Sequence, residues 1–243
     1  MESSAPVRAS FATLSLSLVS HPRSKVAQQV FFSHSPIFPI SGICHAPFFL
    51  YTADTFLCSG RVIWLDTEGT FRPERIEAIA GRFGMPAAVV LDNIQTARIH
   101  TPDHLELFLE ACSALMVKED YRLLVIDSII APFRQEYSGR GELSERQQRL
   151  GQVLLKLKKM ASEFNIAVLL TNQVCADPGG ATFVQDAKKA VGGHILAHMV
   201  DTRLMLRKGR GEQRVAKVMD SPMYPEAEAT FQLTMGGVGD AED

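Results

Sequence analysis

The chain predicts a doubly wound α/β fold, a mostly parallel sheet that gains an antiparallel extension at its C-terminal end. Three observations predict it. Short continuous apolar runs such as Val62–Leu65, Leu123–Ile126 and Ile166–Thr171 alternate with longer stretches of helical period. Two of the runs, the first and the second, lead into carboxylates, Glu68 and Asp127, at their carboxyl ends, where open α/β sheets collect ligands. Near the C-terminus two strand-like segments flank Lys208-Gly-Arg-Gly211, whose glycines suit a tight hairpin.

Element by element, residues 1–59 offer no period long enough for a helix or strand, and disorder or loose packing is expected there. A strand over 62–66 leads to a helix over 73–83. Pro73 opens that helix at a position where its missing N–H costs nothing, and Gly84 and Pro86 stop it. A short strand is expected around Val89–Leu91. Thr101-Pro102-Asp103, a cap followed by Pro and an acid, starts a helix over 102–117. A strand over 122–126 precedes a long helix over 142–164. Leu143, Leu150, Leu154, Leu157, Ala161 and Phe164 recur there at spacings of three and four and mark one apolar face. The strand Ile166–Thr171, a short helix Gly193–Met199, strands over 201–207 and 213–219, and a last strand Ala229–Thr234 complete the pattern.

The chain has 243 residues and is 46% hydrophobic, enough to bury a full core, and its net charge is −2. That balance argues against nucleic-acid binding until the charges are located. Arg134 to Lys159 hold seven Lys or Arg against three Glu, and Lys188 to Lys217 hold eight against two acids; from Val218 onward there are six acids and no base. Two basic tracts therefore remain available to phosphates. Cys44, Cys58, Cys112 and Cys175 show no C-x-x-C spacing, so neither a zinc site nor a disulfide framework is supported. His100 and His104 share a helix spacing but lack a third ligand nearby. No run of 18 apolar residues exists, which gives no membrane-spanning segment and no membrane partner.

The stretch Arg61-Val-Ile-Trp-Leu-Asp-Thr-Glu-Gly-Thr-Phe-Arg-Pro-Glu-Arg75 is followed by Ser138-Gly-Arg-Gly-Glu-Leu143 and Thr171-Asn-Gln-Val-Cys-Ala-Asp-Pro-Gly-Gly180. After these come Gly192-Gly-His-Ile-Leu-Ala-His198, Leu206-Arg-Lys-Gly-Arg-Gly211 and Asp220-Ser-Pro222. From about Gly60 to Asp243 this series resembles the eukaryotic RecA-like strand-exchange recombinases, with spellings closest to the meiosis-specific branch. The resemblance implies a RecA-like sheet, incomplete at its N-terminal side, and an ATP-dependent exchange of strands in homologous recombination and double-strand-break repair. ATP and Mg²⁺ would be the cofactors. Single-stranded DNA, double-stranded DNA, a homo-oligomeric filament and recombination mediator proteins would be the partners, in the nucleus.

Carried over residue by residue, the resemblance makes Glu68 the carboxylate that orients the water attacking the γ-phosphate; the alternative is a cap for the helix that begins near Pro73. Asp127 would stand on the Mg²⁺ side, acting through a coordinated water. Arg75 would stack on the adenine, or else be a solvated helix-face charge. Gln173 and His198 would sense the γ-phosphate, and Asp220 and Pro225 would close over the nucleotide of a neighbouring subunit. Arg134, Arg140 and Arg146 would bracket a first DNA-facing loop. A second loop, Val174 to Val191, carries Phe183, which could stack on bases. Arg207 and Lys217 would meet an incoming duplex.

The chain departs from this family before Gly60. Neither Gly-Lys-Ser nor Gly-Lys-Thr occurs in it, so the phosphate-cradling pattern G-x-x-x-x-G-K-[ST] is missing. Residues 1–59 contain eleven Ser and five charged side chains. They read as a non-homologous leader, such as a mis-joined exon, ahead of the core over 60–243; a transit peptide is the alternative. Two functional readings follow: the C-terminal part of a recombinase core, or a catalytically inactive product that binds DNA or a full-length homologue without hydrolysing ATP. Without the usual phosphate-loop strand, strand 62–66 is expected to lack neighbours and leave an open edge.

Overall fold

The computed structural model describes residues 28–33, 60–137, 141–176 and 188–241. Among these residues ten strands form the sheets: β1 Gln28–Ser33, β2 Arg61–Asp66, β3 Ile94–Arg98, β4 Tyr121–Asp127, β5 Ala167–Ala176, β6 Lys188–Ala190, β7 Thr202–Lys208, β8 Gln213–Asp220, β9 Glu228–Thr234 and β10 Gly237–Asp240. Six helices accompany them: α1 Pro73–Arg82, α2 Ala87–Asp92, α3 Pro102–Met116, α4 Ala131–Glu136, α5 Leu143–Phe164 and α6 Gly193–Met199. The main path runs β10-β9-β8-β7-β1-β5-β4-β2-β3, with β6 added to β5. Strands β5, β4, β2 and β3 are mutually parallel; β7 to β10 pair antiparallel. The predicted fold class is the observed one.

Strand periodicity explains how one apolar run serves two layers. Ile63 and Leu65 face one side with Leu124, Ile126, Val168 and Leu170, where Leu105 and Leu109 of α3 and Leu150, Leu154 and Leu157 of α5 cover them. Val62 and Trp64 face the other side with Val125 and Leu169, against Leu206, Phe231 and Val238. Ile76 and Ala80 of α1 and Val90 of α2 pack beside that second face. The two clusters leave β2, β4 and β5 buried on both sides, so these strands carry no polar alternation.

Several elements differ from the sequence reading. The segment around Val89–Leu91 is helical, part of α2, and the strand comes later as β3. A short apolar run such as Ala87-Ala-Val-Val-Leu91 satisfies either period, and Pro86 just ahead of it starts the turn of helix. Helix α4 and strand β10 are additions. Leu143 is 54% exposed, and the buried face of α5 is completed by Val153 and Met160 instead. The helix stops at Asn165, which takes the left-handed conformation that ends helices (φ 53°).

Strand β2 has neighbours on both sides, β3 and β4, so the expected open edge at 62–66 is absent. The position between β5 and β7 is filled by β1, which runs antiparallel to both. Gln28–Ser33 thus forms a strand where none is predicted.

Candidate functional site

The carboxyl ends of β2, β4 and β5 meet at one place, because the parallel register sets Asp66 beside Asp127 and continues from Ile126 to Leu170. Asp127 is 4% exposed. Its two oxygens accept hydroxyl hydrogens, Oδ2 from Thr70 at 2.7 Å and Oδ1 from Thr171 at 2.6 Å. Burial pushes its carboxyl above the ordinary aspartate range, the two hydroxyls pull it back, and the charges of Glu68 and Asp66 push it up again.

Glu68 lies on the loop beyond β2. Its Oε1 accepts from Ser128 Oγ at 2.7 Å and from Gln173 Nε2 at 2.6 Å. Gln173 in turn accepts from the Arg134 guanidinium through Oε1. Thr67 and Ser128 lock the two strand ends together: Thr67 Oγ1 donates to the Ser128 carbonyl at 2.8 Å and accepts from the Ser128 N–H at 2.6 Å. The Asp127–Ser128 peptide bond is cis. Asn172 donates to the Val191 carbonyl at 2.7 Å, which joins β5 to the start of the segment leading into α6. Glu68, Asp127, Gln173 and Arg134 therefore form one contiguous polar cluster. Among the described residues, no group of three or more His, Cys, Asp or Glu is arranged to hold a metal by itself.

The other predicted residues stand elsewhere. Arg75, half-buried on α1, donates to the carbonyls of Thr234 at 2.7 Å and Met235 at 2.9 Å, so it ties α1 to the β9–β10 turn. Arg82 extends the tie to Gly236 and Val238. His198 is exposed on α6, its ring stacked 6.2 Å from His194. Asp220 pairs with Arg203 at 2.8 Å, and Pro225 is exposed in the turn between β8 and β9. Arg207 and Lys217 each face an acid on the neighbouring segment, Glu228 at 3.1 Å and Glu226 at 3.7 Å. Arg146 is half-buried on the first turn of α5, and its Nε has no acceptor among the described residues. Arg140 and Phe183 lie outside the described residues.

Sequence reasoning missed Thr70, Ser128, Thr171, Asp66 and Arg98. Their contacts to the site span 32 to 60 residues of sequence apart from the local loop bonds, so no short motif announces them.

Comparison with known proteins agrees with this architecture. The profile of the Rad51 family matches residues 44–241. Meiotic recombination protein DMC1 homologues are similar to the chain: that of Lilium longiflorum is 60% identical over 185 residues, 76% of this chain and 53% of the relative. The Arabidopsis thaliana homologue is 55% identical over 185 residues, 76% of this chain and 54% of the relative. The Homo sapiens DMC1/LIM15 homologue is 53% identical over 187 residues, 76% and 55% of the two chains. The chain spans about half the length of these curated relatives. With its parallel strands, its paired strand-end carboxylates and this continuous likeness, the chain belongs to the Rad51 family.

Proposed function

We propose that residues 60–243 are the C-terminal part of an ATP-dependent DNA strand-exchange core that serves meiotic recombination and double-strand-break repair in the nucleus, and that residues 1–59 are a leader that contributes strand β1. The observation that carries the reading is the hydrogen bonding of Glu68 to Ser128 and Gln173 beside buried Asp127. Phosphoryl transfer needs a fixed carboxylate for the attacking water, and Glu68 is fixed. In this role Glu68 holds the water and accepts its proton. Gln173, which touches Glu68 on one side and Arg134 on the other, links that carboxylate to the segments on either side of the candidate DNA loops.

Mg²⁺ prefers hard oxygen donors, and Asp127 with Thr70 and Thr171 offers only those, so the residues fit the ion. Asp127 would hold it through water, and the ion would neutralise charge developing on the phosphates. Arg75 keeps its guanidinium plane anchored by two carbonyls, which leaves its faces for an adenine. His198 is exposed on α6 as the second sensor of the γ-phosphate, and Asp220 with Pro225 would meet the nucleotide of the next subunit in a homo-oligomeric filament. Single-stranded DNA would contact Arg134, Arg140, Arg146 and Phe183. Double-stranded DNA would meet Arg207 and Lys217, whose acidic partners it must displace. Recombination mediator proteins would load the filament.

The test is a replacement. The 243 residues contain no Gly-Lys-Ser or Gly-Lys-Thr, so the unmodified chain is expected to hydrolyse ATP negligibly. Replacing residues 1–59 with a family N-terminal half that carries the cradle is expected to give DNA-stimulated phosphate release, lost on Glu68→Gln. A replaced protein whose activity survives Glu68→Gln refutes the assignment. Activity of the unmodified chain, abolished by Glu68→Gln, would mean that the leader or a partner subunit supplies the phosphate donors.

A further inference from the structure

We propose that Asp66 and Arg98 form a clamp that positions Glu68, making them positioning residues for the reaction; the proposal rests on the reading of Glu68 given above. Asp66 is the last residue of β2 and only 8% exposed. A carboxylate that far from water needs compensating donors. It has them: Oδ1 accepts the backbone N–H groups of Glu68 at 3.0 Å, Gly69 at 2.6 Å and Thr70 at 3.3 Å, and Oδ2 accepts that of Phe71 at 3.3 Å. Four consecutive amides thus converge on one side chain, and the first belongs to Glu68 itself.

Arg98 closes the clamp from the next strand. It ends β3, stands opposite Asp66 in register, and places Nη1 3.0 Å from Asp66 Oδ1. The same nitrogen would lie 2.8 Å from a Cβ at Gly69, whose φ is +76°. Glycine at that position lets the loop both turn and lie against the guanidinium. The loop cannot shift along the strand without breaking these bonds together, and Glu68 is thereby held toward Ser128 and Gln173.

The geometry also separates Asp66 from Asp127, its partner in register. Asp127 accepts two hydroxyl rotors, which can turn toward another acceptor. Asp66 accepts rigid backbone amides and a guanidinium, which cannot. One carboxylate is available for chemistry and the other for shape.

The test uses the full chain without nucleotide, so it is independent of whether Glu68 serves hydrolysis. Amide hydrogen exchange is followed along the chain, together with the side-chain amide proton resonance of Gln173, whose Nε2 donates to Glu68. In Asp66→Asn, exchange at Glu68 through Phe71 is expected to rise about tenfold or more while β4 and α5 keep their protection, because charge-assisted acceptance is lost only locally. The Gln173 resonance is expected to move toward that of a free amide, as it does in a Glu68→Ala control. Arg98→Met should shift both readouts the same way by less, since that guanidinium is 41% exposed and screened. Arg98→Lys should recover part of the shift. If Asp66→Asn fails to fold, Arg98→Met decides alone. Unchanged loop exchange with an unmoved Gln173 resonance overturns the clamp, as does exchange that rises equally across β2, β4 and α5. A clamp that stands while the replaced protein ignores Glu68→Gln would instead refute the catalytic reading.

Discussion

Replacing Thr171 by Val keeps the shape of a fully buried side chain and deletes the hydroxyl that donates 2.6 Å to Asp127 Oδ1. A hydrogen bond to a charged group contributes about 1.5–3 kcal/mol, and a buried acceptor that loses its donor is left with its desolvation uncompensated. At that cost, a domain of this size should melt about 3–12 °C lower. The loss should also depend on pH. Burial raises Asp127 above the ordinary aspartate value, so folding favours its protonated form more than the unfolded chain does, and the stability tied to that group is present at acid pH and lost as pH rises through the raised value. Thr171→Val removes a group that lowers the value, so the raised value climbs further. The deficit of the variant is therefore larger on the alkaline side of the raised value and shrinks toward the ordinary aspartate value of about 4. Urea denaturation followed by circular dichroism, on both proteins at about pH 7.5 and about pH 4.5, measures the difference, and titrations elsewhere cancel between them. A deficit equal at both pH values, or below about 0.5 kcal/mol at the higher one, would refute the claim that Thr171 stabilises an ionised, buried Asp127.

Gly192→Ala should destabilise by about 1–3 kcal/mol and loosen α6, since the residue has φ +106° and an added Cβ would overlap the side chain of buried Leu196; a thermal melt matching the parent protein would contradict this. Arg140→Ala with Arg146→Ala should weaken single-strand binding and flatten the log–log salt slope by about 1 to 1.5, read by fluorescence anisotropy across salt concentrations; an unchanged slope removes these residues from the DNA site.

The fold was legible where burial is two-sided. Val62–Leu65, Leu123–Ile126 and Val168–Leu170 read as strands because both of their faces are covered. Elsewhere the pattern was ambiguous. Ala87–Leu91 is too short for a period to decide between helix and strand, and β3, Ile-Gln-Thr-Ala-Arg, is half-exposed along its length and carries little apolar signal. Gln28–Ser33 becomes a strand through pairing with β5 and β7, partners more than 130 residues away. The site divides the same way. Glu68 and Asp127 announce themselves by standing at or just past strand ends, whereas Thr171, Ser128 and Arg98 matter through bonds between distant strands, which no local spacing encodes.

Trp64 is the chain's one tryptophan, and it is 1% exposed in the cluster that also contains Phe231 and Val238. Its indole N–H has no acceptor among the described residues, and its ring lies 5.5 Å from Phe71. An indole in such surroundings emits toward the blue, without the red shift that water or a hydrogen-bond partner brings. Because strands β9 and β10 form part of its walls, undocking of the C-terminal hairpin would wet the indole even if β2 stayed paired. The chain thus carries an intrinsic optical gauge of whether its C-terminal hairpin is seated, readable in a cuvette with no label attached.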